Sequence, residues 1–413
     1  MATPLTYLAY VGIILLVGLI TMIISKKIKV PNFLLLIAVG AVLGNLSYRG
    51  QRLIAFDYKS SMLIGLAIFA LALIVFDGAS RFKLREFDAV SLSALKLSVI
   101  FLIINMIVLS ALTFFIVRGI SPLLAILFAA AMSGTSPSAV TIAFKGVKTK
   151  VFQFLEVESI LNTPLAVLIP FLVLDLLRGI PSEGYVLAQL GAQIVPFLQQ
   201  FITGIGVGIL IGLIIFKVFS RIYHPTLSPL TIITAALITY VAAEQLGGNG
   251  VLAVTTLGLF FGNVYLKHKM KIKEFSEIFS TFLEILVFIL IGFIIQVDLK
   301  NIFSPEVISF FIISATLFVA FLGVRLFSVI ISFGRKQFTA GEKLYITLNV
   351  PKGIAVAVVA LTLITSIVYP GIEYVFDLML AFLVYSIVLS AIVTRFSKKF
   401  IRVEAMKPEK LKP

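Results

Sequence analysis

Runs of about twenty apolar residues recur from one end of this 413-residue chain to the other. That length is what an α-helix needs to cross the hydrocarbon core of a bilayer. Only 13% of the residues are charged, whereas soluble proteins carry about 25%. Backbone groups inside lipid must satisfy their own hydrogen bonds, which favours helices over open sheets. We therefore expect an all-α polytopic membrane protein with about thirteen transmembrane helices.

The positive charge follows the predicted topology. A formal net charge of +15 could suggest a nucleic-acid partner. When successive connections are assigned alternately to the two sides of the membrane, however, most lysines and arginines outside the apolar runs fall on one side. The positive-inside rule makes that side cytoplasmic, with the N-terminus outside and the C-terminus inside. This pattern predicts a multi-pass protein of the cell membrane that contacts lipid and binds no nucleic acid.

The composition also excludes several kinds of chemistry. The chain has no cysteine and only two histidines, so it offers no disulfide framework and no cysteine-ligated metal site. No nucleophile–base arrangement or phosphate-binding loop is recognisable in the sequence. We therefore expect no cofactor, no bound structural metal and no enzymatic activity.

The sixth span begins with an unusual concentration of polar side chains. Glu158 and Asn162 are four residues apart and share one helix face, while Ser159 and Thr163 form the neighbouring stripe. Polar groups this dense in a membrane-length segment are costly unless they serve one another or a ligand. The stretch is therefore a candidate binding site.

Two other spans are interrupted near their centres, by Thr135-Ser136-Pro137 in the fifth and by Pro351-Lys352-Gly353 in the twelfth. Proline removes an amide donor and disfavours helix in the residue before it. Irregular backbone at membrane depth is tolerated where it is buried in protein or lines a cavity. Paired interruptions in corresponding spans of two inverted halves indicate the midplane site of a transporter. We expect an inverted-repeat fold in which unwound helices 5 and 12 cross.

Three further charged residues lie in or next to apolar spans. Glu284 in the tenth span and Arg325 in the eleventh would each be costly alone in lipid, and we expect them to form a structural ion pair. Asp77 ends the third span, where it serves either as a solvated interface residue or as a polar partner for the core.

These segments together resemble a known family, the monovalent cation/proton antiporters, and in particular the NhaP-type sodium/proton exchangers. The resemblance is carried by the segments 133–140, 158–163, 282–292, 323–329 and 350–353. It implies one integral transporter domain over 1–400, followed by a cytoplasmic tail at 401–413. It further implies a core made of 89–177 and 304–396 that moves against a dimerisation scaffold made of 5–77 and 187–296, within a homodimer.

The resemblance at the site is partial. The family's Thr-Asp-Pro appears as Thr135-Ser136-Pro137, and its Pro-Arg-Gly appears as Pro351-Lys352-Gly353. The family's Glu-Ser-x-x-Asn-Asp appears as Glu158-Ser159-Ile160-Leu161-Asn162-Thr163. Asp77 corresponds to the acidic residue that ends the third helix. Both family aspartates, including the one that binds sodium or protons alternately, are therefore replaced by hydroxyl residues.

One carboxylate and one amine remain in this pattern, Glu158 and Lys352. Because a buried lysine can lose its proton whereas arginine stays charged, we hypothesise that the two form a titrating pair that exchanges Na⁺, K⁺ or Li⁺ for H⁺. Oxygen ligands to the cation would come from Ser159, Asn162, Thr163 and backbone carbonyls near Ser136. Thr135 and Ser136 belong to the same predicted ion and proton site. Two alternatives stay open. The chain could carry another solute, such as an anion, or transport without proton coupling. It could also act as a transport-inactive sensor or partner subunit.

Overall fold

A computed structural model describes residues 4–28, 31–48, 51–52, 61–83, 88–135, 149–179, 186–219, 227–264, 269–295, 303–334, 337–366 and 369–401. The predicted site residue Ser136 and nearly all of the predicted cytoplasmic tail lie outside these residues. The first half contains these helices: α1 (Pro4–Ile28), α2 (Asn32–Asn45), α3 (Ser61–Ser80), α4 (Ala89–Ile116), α5 (Pro122–Ala131) and α6 (Lys150–Gly179). A short antiparallel pair, β1 (Ser47–Tyr48) and β2 (Gln51–Arg52), follows α2.

The second half of the chain is also helical, and its helices differ in length. They are α7 (Val186–Phe219), α8 (Leu227–Gln245), α9 (Gly250–Asn263), α10 (Lys269–Ile294), α11 (Pro305–Ser332), α12 (Ala340–Leu348), α13 (Ile354–Ser366), α14 (Ile372–Arg395) and α15 (Ser397–Phe400). Within the described residues, seven helices are long and apolar enough to cross a membrane: α1, α3, α4, α6, α7, α11 and α14. Shorter apolar helices accompany them. The all-α polytopic class is thus confirmed, while the count of thirteen spans stays a prediction.

Close backbone contacts fix the pairing of α2 with α10. A Cβ atom added at Gly40 would lie 2.3 Å from the carbonyl oxygen of Ile289, and one added at Gly292 would lie 2.2 Å from that of Ile37. Larger side chains at these positions would force the two helices apart. Small residues that let backbones approach are a common means of helix association in membranes.

The two predicted interruptions define where regular helix stops. Helix α5 ends at Ala131, and the chain continues irregularly through Thr135. In the twelfth span, α12 ends at Leu348 and α13 begins at Ile354, so the predicted interruption is present there as the irregular segment Asn349–Gly353. Each half of that span is too short to cross the bilayer alone. Residues 349–353 between them are all buried, so the interruption lies within the protein interior.

Candidate functional site

The two interruptions meet at the side chain of Lys352. Its ammonium donates hydrogen bonds to the carbonyl oxygen of Met132 at 2.5 Å and to that of Gly134 at 2.8 Å. Met132 is the C-terminal cap of α5. The carbonyl end of a helix carries partial negative charge, which stabilises a cation placed against it. Lys352, which belongs to the interrupted twelfth span, therefore caps the C-terminal end of α5 in the interrupted fifth span.

The surroundings of Lys352 are entirely protein. The residue is fully buried, and its ammonium lies 4.4 Å from the ring centroid of Phe321 in α11. An ammonium over an aromatic face gains a cation–π interaction that is stronger when water is excluded. The backbone N–H of Lys352 donates to the hydroxyl of Ser386 in α14 at 3.1 Å. Helices α5, α11 and α14 thus jointly fix the position of Lys352.

Glu158 forms its ion pair with Arg325. The distance between Arg325 Nη2 and Glu158 Oε2 is 2.7 Å, and the two side chains are 0% and 1% exposed. The guanidinium also stacks 4.8 Å from the ring centroid of Phe101 in α4. The predicted pairing of Arg325 with Glu284 is therefore wrong. Arg325 lies where α11 packs on α4, whereas α10, which carries Glu284, packs chiefly on α2, with further contacts to α1, α3 and α13.

Glu158 and Lys352, the predicted titrating pair, are not joined by a direct salt bridge in this structure. The ammonium of Lys352 interacts electrostatically with both Glu158 and Arg325. Its hydrogen bonds, however, go to main-chain carbonyls at the end of α5. The three buried charged groups form one cluster in which Arg325 neutralises the carboxylate directly and Lys352 adds a positive charge beside it.

Two amide side chains complete the cap on α5. Asn162 donates to the carbonyl of Ser133 at 2.8 Å and to the hydroxyl of Thr135 at 3.4 Å. Asn105, from α4, donates to the carbonyl of Ala129 at 2.8 Å and to the hydroxyl of Ser133 at 3.1 Å. These bonds satisfy carbonyl groups that a helix end leaves without partners.

Several polar atoms of the cluster keep unused hydrogen-bonding capacity. Within the part of the chain that the structure describes, Oε1 of Glu158 and Oδ1 of Asn162 are buried and have no hydrogen-bond partner. The same holds for Nε and Nη1 of Arg325. Buried polar atoms normally have hydrogen-bond partners, so these four atoms are candidates to bind a ligand or water. The two oxygens suit a hard cation, and the two N–H groups suit an anion.

The hydroxyl residues of the sixth span are bound to their own helix. Ser159 donates to the carbonyl of Glu156 at 2.8 Å, and Thr163 donates to that of Ser159 at 2.6 Å. The hydroxyl oxygens retain lone pairs that can accept a cation. The methyl group of Thr163 faces α3, where a Cβ atom added at Gly78 would lie 2.7 Å from it.

Both predicted supporting acids, Asp77 and Glu284, lie outside the buried cluster. Asp77 accepts a salt bridge from Arg81 at 2.6 Å, near the end of α3. Its neighbour Gly78 is the residue in contact with Thr163. Glu284 is half-buried in α10 and has no ion pair with any residue described by the structure. Among those residues, no three His, Asp or Glu side chains are grouped closely enough to hold a metal ion.

Sequence reasoning missed the residues that position the charges. Phe321 and Asn105 sit in apolar spans, and nothing local marks them as neighbours of Lys352 or of the α5 cap. Ser386, which binds the Lys352 backbone, belongs with Ser390 and Thr394 to a series spaced by four residues. That spacing places hydroxyls on one face of α14 and was a signal available in the sequence.

The sequence matches the family model described as sodium/hydrogen exchanger, transmembrane, over residues 12–399. It is 26% identical over 376 residues to Na(+)/H(+) antiporter 1 of Methanocaldococcus jannaschii, an alignment that covers 86% of this chain and 82% of that protein. It is also 26% identical over 287 residues to the K(+)/H(+) antiporter NhaP2 of Shewanella sp. (strain ANA-3). That alignment covers 68% of this chain but only 48% of NhaP2.

The fold is similar to that of a solved structure, the sodium proton antiporter MjNhaP1 from Methanocaldococcus jannaschii at pH 8. The TM-score is 0.73, and the superposition covers 95% of this chain and 97% of that one at 20% sequence identity. Two arrangements of the backbone this similar over their full lengths have the same architecture.

Proposed function

This chain belongs to the sodium/hydrogen exchanger family, and from that premise we propose that it exchanges a monovalent cation for a proton by alternating access. In this proposal Glu158 and Asn162 supply the oxygens that the cation binds, and Lys352 carries the exchanged proton. Na⁺ is the first candidate cation, with K⁺ and Li⁺ as alternatives. The observation that carries the proposal is the pair of buried oxygens, Glu158 Oε1 and Asn162 Oδ1, that have no partner among the described residues and belong to side chains one turn apart in α6.

The charge balance of the cluster supports the coupling of cation to proton. Glu158 and Arg325 cancel, so the protonated Lys352 leaves one net positive charge in a fully buried site. A bound cation would add a second positive charge where Coulomb repulsion is weakly screened. Release of the Lys352 proton restores the original net charge. Arginine cannot make this adjustment, since its guanidinium stays protonated in proteins.

Competition for oxygen atoms supports the same exchange. The protonated Lys352 occupies the carbonyl oxygens of Met132 and Gly134. Such carbonyls at unwound helix ends are the groups with which transporters bind cations. The neutral amine donates only weakly, so a cation could take up those oxygens once the proton has left. Loading with a cation and loading with a proton then exclude each other, as antiport requires.

The assembly and topology of the family complete the proposal. We place the protein in the cell membrane with its C-terminus in the cytoplasm, as a homodimer in contact with lipid. The core of 89–177 and 304–396 would carry the cluster and move against the scaffold of 5–77 and 187–296. In this division the contact of Thr163 with Gly78 lies at the boundary, where α6 of the core meets α3 of the scaffold.

The test is an ion-pulse assay in proteoliposomes that contain a pH-sensitive dye. Pulses of Na⁺, K⁺ or Li⁺ should each be compared with choline, and the wild type should release or take up protons only with a transported cation. Glu158→Gln should abolish that flux, because the site loses the carboxylate that attracts the cation. Cation-dependent proton flux of wild-type size in Glu158→Gln would refute the proposal.

An anion carrier is the second candidate, and a specific observation favours it. The cluster has a net positive charge, and Nε and Nη1 of Arg325 are buried donors without partners among the described residues. Fixed donors and positive charge in a dry site bind anions well. A radiotracer screen of chloride, phosphate and small carboxylates in the same liposomes separates the two functions. Anion uptake without cation-dependent proton flux would establish this candidate in place of antiport.

A further inference from the structure

Helix α14 carries three hydroxyl residues that each bind α12 or the irregular segment Asn349–Gly353. Ser386 accepts from the backbone N–H of Lys352 at 3.1 Å. Ser390 donates to Oδ1 of Asn349, and Thr394 hydrogen-bonds the hydroxyl of Tyr345. Because the three lie four residues apart, they form one row along the helix. We call this row, Ser386, Ser390 and Thr394, the hydroxyl ladder.

The hydroxyl ladder replaces bonds that the broken helix lacks. In a continuous helix the N–H of Lys352 would bind a carbonyl one turn earlier, but here it binds a serine of another helix. Asn349 extends the row, since its Nδ2 donates to the hydroxyl of Tyr345 at 3.1 Å. Ser386, Ser390, Asn349 and Tyr345 are buried, and Thr394 is half-buried. Loss of one partner would leave a buried polar atom unsatisfied, which is costly inside a protein.

The ladder is continuous with the contacts that hold the ammonium of Lys352. The same residue is bound through its backbone by α14 and through its side chain by the carbonyls of Met132 and Gly134. The side chain of α14 residue Phe382 packs edge-on against Phe321, the ring under the ammonium, with centroids 5.7 Å apart. Helix α14 therefore fixes both the position of the irregular segment and the position of the Phe321 ring beneath the Lys352 ammonium.

We propose that the hydroxyl ladder positions Lys352 for proton exchange, with Ser386 and Ser390 as positioning residues that touch neither cation nor proton. The role of the ladder in proton exchange rests on the proposed function. The positioning of Lys352 by the ladder does not depend on it. Ser386 fixes the backbone of Lys352 so that its ammonium reaches the end of α5. Ser390 holds Asn349, the first residue of the irregular segment, and Thr394 holds Tyr345 in the last turn of α12.

The positioning is tested first without any transport. Hydrogen–deuterium exchange of the purified full-length chain should be followed in peptides that cover residues 349–354. Ser386→Ala and Ser390→Ala should each exchange about fivefold faster there than the wild type, the effect of losing one ordinary hydrogen bond. Ser110→Ala is the matched control, because that buried hydroxyl binds only carbonyls of its own helix, α4. Unchanged exchange in both ladder variants would overturn the inference.

The second readout is the pH profile of cation-dependent proton flux. The charged groups that face Lys352 are Glu158 from α6 and Arg325 from α11, and neither is altered in the ladder variants. Ser386→Ala should loosen the ammonium from its carbonyls and favour the neutral amine. Half-maximal exchange should then move to lower pH by about half a unit or more. Ser386→Thr, which keeps the hydroxyl, should restore the wild-type profile.

The two readouts separate failure of the inference from failure of the proposed function. If the wild type shows no cation-dependent proton flux, the proposed exchange is wrong, while the deuterium measurement still decides whether the ladder holds Lys352. If flux is present and Ser386→Ala lowers stability with no shift of the pH profile, the ladder is only structural and the inference is refuted.

Discussion

Arg325 and Glu158 face each other across 2.7 Å with both side chains sealed from solvent. Removing two charges from water is expensive, and their mutual attraction offsets this only when the geometry is good. Here the pair does not stand alone, because the protonated Lys352 repels Arg325 and attracts Glu158. The single carboxylate thus serves two positive groups, and this imbalance has consequences that can be measured.

The first prediction concerns stability. Glu158→Gln should destabilise the protein by about 3–5 kcal/mol, the cost of breaking a buried ion pair, because it leaves two buried positive groups uncompensated. Arg325→Gln should cost less, since Lys352 remains to neutralise the carboxylate. Thermal unfolding in detergent near neutral pH measures both. Equal losses in the two variants, or a larger loss in Arg325→Gln, would contradict the charge balance assigned to this cluster.

The second prediction concerns the contact between α3 and α6. Gly78→Ala places a methyl group 2.7 Å from Cγ2 of Thr163, and overpacking of this kind costs about 1–3 kcal/mol. Thr163→Ser removes that methyl group but keeps the hydroxyl that binds Ser159. The double variant should therefore recover most of the stability lost in Gly78→Ala. Additive effects in this double-mutant cycle would show that the two residues are not coupled.

The third prediction concerns a variant, Thr163→Asp, that restores a carboxylate where the family motif has an aspartate. Thr163→Asp should cancel the net positive charge of the cluster and lower the KM for the transported cation by about tenfold, equivalent to about 1.4 kcal/mol. Thr163→Asn has nearly the same shape without the charge and serves as the control. A KM that is unchanged in the aspartate variant, or lowered equally in the asparagine variant, would place cation binding elsewhere.

The fourth prediction separates Glu284 from the cluster. Because Arg325 pairs with Glu158 and α10 packs chiefly on α2, Glu284→Gln leaves the buried cluster intact. We expect its cation KM and the pH profile of exchange to match the wild type. A stability measurement on the same sample shows whether the protein is folded. A shifted pH profile in folded Glu284→Gln would mean that this carboxylate takes part in proton exchange.

The architecture could be predicted from the sequence because its signals are local. Apolar runs of membrane length identified the helical class, and Pro351 with Gly353 located the interruption that the structure shows between Leu348 and Ile354. The concentration of polar residues around Glu158 identified the helix that carries the buried carboxylate. Each of these features depends on neighbours in sequence, so no tertiary information was needed.

The partners within the site could not be predicted in this way. Hydropathy places Arg325 inside a span but does not show which neighbouring helix its side chain faces. From the sequence alone, Glu284 was as plausible an ion-pair partner for Arg325 as Glu158. The acceptors for Lys352 are main-chain carbonyls, which every residue possesses, so no side-chain pattern marks Met132 or Gly134. Only the tertiary fold, which brings the C-terminal end of α5 to the interruption of the twelfth span, places them beside Lys352.

The central claim is that Lys352 carries the exchanged proton, and Lys352→Arg tests it most directly. Arginine keeps the positive charge but cannot release its proton. In proteoliposomes given Na⁺, K⁺ or Li⁺ pulses, the folded variant should show no cation-dependent proton flux at any pH at which the wild type shows it. Cation-dependent proton flux at the wild-type rate in Lys352→Arg would contradict this mechanism.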